Sequence, residues 1–168
     1  MDRLWAPWRF KYVADLGHKH RGCIFCGMSR EKNDRKNFIF MRTKYSFAVL
    51  NIYPYNNGHV LVVPYRHLNG LSKLRSEEKA DLFCLLETAQ QIIEKTLKPQ
   101  GFNIGINIGR VAGAGFPGHL HIHLVPRWGG DVNFMPIVAN TRIVSQSLEA
   151  LFKRLQHNTK KNKRKNHN

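Results

Sequence analysis

Residues 118–128 read "GHLHIHLVPRW" and set His119, His121 and His123 at alternate positions, with Leu120, Ile122 and Leu124 between them. In an extended chain successive side chains point to opposite faces, so the three imidazoles share one face and the three aliphatic residues the other. The aliphatic face is built to dock on a core. The histidine face is left for a metal, a phosphate, or a substrate attacked by an imidazole. Neighbouring histidines on one strand face stand about 6.5–7 Å apart, too far for one small ion unless every ring bends inward. A division of labour suits the strand better, with one nucleophilic imidazole and neighbours that donate to phosphate oxygens.

Working outward, "FNIGINIG" (102–109) alternates like a strand and leads through the glycine-rich "RVAGAGFPG" into the histidines. Upstream, Phe38–Met41, Tyr45–Asn51 and His59–Pro64 read as strands, with "YPYNNG" a loop. From residue 76 the period changes. Leu82, Leu85, Leu86, Ala89, Ile92, Ile93 and Leu97 follow helical spacing, Ser76 is the expected cap, and "KPQG" at 98–101 ends the run. Cys84 within that helix is expected to fill core space. A last helix is expected over about Ser145–Gln156. Strands, a long helix, strands and a final helix predict an α+β fold, an antiparallel sheet packed by one long helix plus a C-terminal helix.

The chain of 168 residues, 42% hydrophobic, is sized for a single domain over residues 1–156, opened by an aromatic, basic arm at 1–22. Trp5, Trp8 and Phe10 in the arm read as apolar anchors. Residues 157–168, "HNTKKNKRKNHN", hold five Lys/Arg, no acid and no apolar side chain, and are expected to be a disordered basic tail. The net charge of +16 invites a nucleic-acid reading. Much of the excess belongs to the two ends, however, so nonspecific polyanion contact by the tail is the expectation rather than a dedicated groove. No apolar run approaches the roughly 20 residues of a membrane span. Three cysteines are too few and odd for a disulfide framework, which points to a reducing cytoplasm.

"CIFC" places Cys23 and Cys26 at a spacing used by metal sites, and two further ligands are available in two sets. One set is local, His18 and His20; the other is distant, His67 and His119.

The "HLHIHLV" stretch fits the His-x-His-x-His-x-x signature of the histidine-triad superfamily of nucleotide hydrolases and transferases. "LNIYPYNNGHVLVVPYRH" (50–67), "NIG…AGAG" (107–115), "VPRWGGDVNFMP" (125–136) and "LWAPWRFKYV" (4–13) resemble the bacterial branch that contains diadenosine tetraphosphate phosphorylases and hydrolases. The resemblance spans about residues 3–155. It implies a histidine-triad fold, an enzyme that cleaves dinucleoside polyphosphates, and a homodimer. His121 would be the nucleophile on the α-phosphorus, with His123 and His59 on phosphate oxygens. Asn51 would bind ribose hydroxyls, and Asn107 with Gly113, Ala114 and Gly115 would approach the phosphates. Zinc-bearing members imply Cys23, Cys26, His67 and His119 as ligands of a structural zinc, and no organic cofactor is implied.

In one place the chain departs from its relatives. Several carry Ser or Gln just before the triad, whereas "AGAGFPG" has neither, so help for the leaving group is expected from His123, water or a backbone N–H. The alternatives are a nucleoside phosphoramidase, a nucleotide- or nucleic-acid-binding module, and an enzyme using all three triad histidines as metal ligands.

Overall fold

A computed structural model describes residues 22–31, 33–131 and 146–165. The arm at 1–21 with Trp5, Trp8, Phe10, His18 and His20, the "VNFMP" stretch and the last three residues lie outside the described residues.

Five strands form one antiparallel sheet: β1 (Ile39–Arg42), β2 (Ser46–Leu50), β3 (Val60–Pro64), β4 (Gly101–Ile106) and β5 (Ile122–Arg127), in the spatial order β1-β2-β3-β5-β4. The expected alternating strand therefore ends at Ile106 rather than Gly109. Among the described residues three α-helices accompany the sheet: α1 (Ile24–Arg30), α2 (Ser76–Leu97) and α3 (Leu148–Lys165).

The sheet has two unlike faces. Val60 pairs with Leu124 and Val62 with Ile122, and these residues join Leu120, Ala48 and Leu50 beneath the apolar stripes of α2 and α3. The register puts Leu61 beside His123 on the opposite face, where Phe47, Val49, Leu61 and Val63 pack under α1 through Phe25. The period-2 alternation of "HLHIHL" thus sends its aliphatic residues into the main core. At about 1.5–3 kcal/mol for each fully buried Leu or Ile, that burial sets which way the histidines face.

α2 carries its predicted stripe, with Leu82, Leu85, Leu86, Ala89, Ile92 and Ile93 buried. Its N-cap is Arg75, not Ser76, which is the first helical residue. The Glu78 carboxylate takes the capping role, accepting from the Arg75 backbone N–H at 2.8 Å while Arg66 donates to both of its oxygens at 2.9 and 2.6 Å. The Arg66 guanidinium holds the Glu78 carboxyl down at about 2. Cys84 falls off the stripe and is exposed, contrary to the expectation of a core filler.

α3 starts at Leu148, where the Ser147 hydroxyl accepts from the Ala150 N–H at 3.3 Å. The helix does not stop at Gln156 but continues to Lys165, through most of the residues expected to be a disordered tail. Thr159 lies one turn past Leu155 on the same buried stripe, while Asn158 donates to Thr96 Oγ1 at 2.7 Å and Lys95 to Asn162 at 3.3 Å. These partners on α2 are about sixty residues away in sequence. They replace the apolar anchors whose absence argued for disorder.

Candidate active site

β5 and the four residues before it carry the triad. His119 and His121 precede the regular strand and His123 lies within it, all three buried. His121 and His123 have ring centroids 4.9 Å apart, with their planes inclined at 62°. Across the sheet on β4, Gly105 is in register with His123, and a Cβ built on that glycine would meet nothing within 4 Å. The histidine face is therefore open on the β4 side.

The hydrogen bonds assign a tautomer to each ring, because a carbonyl only accepts and an amide N–H only donates. His121 Nδ1–H donates to the His119 carbonyl at 2.8 Å, which leaves Nε2 with the lone pair of a neutral imidazole, an atom able to act as a nucleophile. Burial lowers the His121 pKa and keeps that lone pair available near neutrality. His119 Nε2–H donates to the Pro64 carbonyl at 2.9 Å, turning its Nδ1 lone pair toward the cysteines.

His59 is wholly buried, and both of its nitrogens are engaged by the protein. Nδ1 accepts from the Tyr55 backbone N–H at 3.0 Å and from the Asn51 amide at 3.2 Å. Nε2 must then carry the proton, and it lies 2.9 Å from His123 Nδ1. His123 therefore accepts at Nδ1 and holds its own proton on Nε2. Burial, reinforced by the neighbouring His123 and His121, pushes the His59 pKa down to about 3. Tyr55 stacks on His123 with centroids 5.5 Å apart.

The other predicted residues divide. Asn51 sits beside His59, with its side-chain oxygen accepting from the Tyr53 N–H at 2.9 Å. Asn107 lies in the loop and donates to the Gly113 carbonyl at 3.4 Å. The Gly113 and Ala114 amides donate to Arg110 and Gly109 carbonyls at 2.9 and 3.3 Å, within the loop's own turns. Those two N–H groups hold the loop in shape. Gly115 lies on the path from these turns to the triad.

Cys23, Cys26, His67 and His119 come together at one corner of the histidine face, and one ligand atom from each lies within 4.8 Å of all the others. Cys23 Sγ is 3.2 Å from His119 Nδ1, and Cys26 Sγ is 3.4 Å from His67 Nδ1 and 3.6 Å from His119 Nδ1. These separations suit the edges of a tetrahedron with metal bonds of about 2.0–2.3 Å. The Pro64 carbonyl fixes the His119 tautomer as an outer-shell partner would.

Sequence reasoning passed over three contributors. Phe25, between the cysteines, is buried against the triad. The Tyr55 amide sets the His59 tautomer. Arg42 clamps the last turn of α1, donating to the Met28, Ser29 and Glu31 carbonyls at 3.3–3.4 Å. An aromatic residue inside "CIFC" was a visible signal for the first; the other two depend on folded backbone positions.

The HIT domain profile matches residues 32–130. The chain is 38% identical over 154 residues to a protein of Mycobacterium tuberculosis (strain ATCC 25618 / H37Rv) named AP-4-A phosphorylase, covering 88% of this chain and 79% of that one. It is 43% identical over 93 residues to the asymmetrical bis(5'-nucleosyl)-tetraphosphatase of Schizosaccharomyces pombe, covering 55% and 50%. Its fold matches a hypothetical histidine triad nucleotide-binding protein of Sulfolobus tokodaii with a TM-score of 0.68 and 27% identity, over 85% of this chain and 95% of that one. With the triad running into the start of β5, an antiparallel five-stranded sheet and this breadth of likeness, the chain belongs to the HIT (histidine triad) family.

Proposed function

We propose that this protein cleaves dinucleoside polyphosphates, with diadenosine tetraphosphate as the preferred substrate, through a nucleotidyl-histidine on His121. The observation that carries the reading is the 2.8 Å bond from His121 Nδ1–H to the His119 carbonyl, which leaves Nε2 as the one ring nitrogen with a lone pair. Relatives named AP-4-A phosphorylase and bis(5'-nucleosyl)-tetraphosphatase support the substrate class.

In the first step Nε2 attacks the α-phosphorus, a P–N bond forms, and the P–O bond to the remaining polyphosphate breaks. That leaving group is acidic and departs as an anion, which suits a site with no Ser or Gln before the triad. In the second step an oxygen acceptor displaces the histidine. Water yields AMP and inorganic phosphate yields ADP. His123, holding its proton on Nε2, donates to a phosphate oxygen as charge develops. His59 and Asn51 act through His123 in this reading: His59 donates its proton to His123 Nδ1, and Asn51 and the Tyr55 amide hold His59 in that tautomer.

The four donors fit a structural zinc, with two thiolates and two Nδ1 atoms closing the coordination shell. Such an ion ties α1 to the catalytic strand and takes no part in bond making. For assembly the reading is a homodimer: β4 is a sheet edge with Ile104 half exposed, and Phe83 stands exposed on α2. The exposed lysines of α3 allow nonspecific polyanion contact, and cytoplasmic location is the matching expectation. No described helix is long and apolar enough to cross a membrane.

Product analysis of diadenosine tetraphosphate with and without inorganic phosphate tests the function. AMP plus ATP without phosphate makes the protein a hydrolase; ADP plus ATP only with phosphate makes it a phosphorylase. No product in either condition contradicts the substrate class and turns attention to phosphoramidates.

A further inference from the structure

Phe25 lies between the two cysteines of "CIFC" and serves neither as a metal donor nor in proton transfer. It is 1% exposed, the most enclosed residue of α1. Its ring centroid lies 5.1 Å from that of His121, 5.4 Å from that of His119 and 5.5 Å from that of Phe116. α1 has only seven residues and no side-chain cap at its N-terminus, so it is far too short to persist by itself. Its place is set from outside: by Arg42 on its last carbonyls, by Phe25 in the cluster under the sheet, and by Cys23 and Cys26 against His119 and His67.

The His121 ring needs more than one restraint. Its bond to the His119 carbonyl fixes which nitrogen faces the backbone, but one hydrogen bond leaves the ring plane free to tilt about it. Phe25 packs on the ring, and the direction of the Nε2 lone pair follows the plane that packing sets. In-line attack on phosphorus is sensitive to that direction, and a misplacement of about 1 Å costs about 100-fold in rate.

We propose that Phe25 is a positioning residue for the nucleophile: its ring, carried by the helix that presents Cys23 and Cys26, fixes the plane of the His121 imidazole. The inference rests on the role of His121 given above. It makes the metal corner and the nucleophile one mechanical unit, joined by Phe25 packing and by His119, which offers its side chain to the donor cluster and its carbonyl to His121.

The test uses full-length, zinc-loaded protein and the variants Phe25→Leu and Phe25→Ala, with three readouts: zinc per chain, kcat and KM for diadenosine tetraphosphate, and the nitrogen-15 spectrum of the histidine rings. In the wild type His121 gives one protonated-type and one lone-pair-type nitrogen signal, well separated. Phe25→Leu fills space without a flat ring. It is expected to keep its zinc, hold KM within about twofold, lose about tenfold in kcat, and draw the two His121 signals together; Phe25→Ala is expected to lose about 100-fold. If Phe25→Ala does not fold, Phe25→Leu decides. Wild-type kcat and an unchanged His121 spectrum in zinc-loaded Phe25→Leu would overturn the proposal. So would loss of zinc from that variant, which would make Phe25 a support for the metal corner alone. Should the wild type cleave no dinucleoside polyphosphate, the proposed substrate fails, and the ring spectrum still decides the role of Phe25.

Discussion

The two faces of the sheet are made from one alternating sequence and behave as different materials. Toward α2 and α3, Leu120, Ile122 and Leu124 join a large cluster of apolar side chains. Toward α1, His119, His121 and His123 are almost as deeply buried, yet the hydrogen bonds of His119 and His121, and the His59–His123 bond, are directed by identifiable partners. The first face is stabilised by area and tolerates any similar aliphatic packing. The second adds to its own smaller apolar cluster a set of directed hydrogen bonds, whose directions decide what each ring can do. Stability and chemistry are thereby separated across the thickness of a single strand.

The separation breaks most visibly at His121, the proposed nucleophile. His121→Ala is expected to lower kcat for diadenosine tetraphosphate by at least about a thousand-fold, since no other group replaces Nε2. The same variant should unfold in urea within about 1–2 kcal/mol of the wild type. On the other face, Leu124→Ala should cost about 2–5 kcal/mol in the same urea titration while the folded fraction keeps KM. If the two variants exchanged these behaviours, the division between the faces would be wrong.

The four-donor corner sharpens the comparison, because a zinc ion held there would stabilise the histidine face by coordination instead of area. If the proposed zinc is held there, elemental analysis should find it in the wild type and not in Cys23→Ala or Cys26→Ala. A cost of about 2 kcal/mol corresponds to a fall in Tm of roughly 4–8 °C for a domain of this size. A Tm equal to that of the wild type would remove the structural role.

Taken over a single pH unit, the smallest effect is that of acid on His59. The His59 pKa is pushed from its ordinary 6.5 to about 3 in the folded chain, so between those values the unfolded chain binds a proton that the folded chain refuses. Its contribution is complete above about 6.5 and declines as the pH falls toward about 3, with a slope of at most about 1.4 kcal/mol per pH unit. Urea titrations at a series of pH values should show a shallower acid slope in His59→Gln than in the wild type. Equal slopes would contradict the buried, neutral His59.

The sheet and the long helix were legible because their signals are local. Alternation in "HLHIHL" and the stripe from Leu82 to Leu97 are properties of neighbouring residues. The grouping of Cys23, Cys26, His67 and His119 was legible from the resemblance, although the residues come from three separate segments. The division of labour among the histidines was less so. It depends on the carbonyls of His119 and Pro64 and the amide of Tyr55, backbone atoms whose positions no side-chain pattern encodes. The extent of the last helix was not legible for a similar reason. Composition argued for disorder, but Asn158, Thr159 and Asn162 find partners or cover on the helix bundle, and α3 continues past the expected stop.

The central claim is that His121 carries the nucleotidyl group. Its most direct test is the intact mass of the protein after brief mixing with diadenosine tetraphosphate and an alkaline quench, which preserves a phosphorus–nitrogen bond, followed by peptide mapping. The account predicts one adenylyl adduct per chain, mapped to His121 and absent from His121→Ala. Turnover without any adduct under single-turnover conditions, or an adduct on His119 or His123, would contradict it.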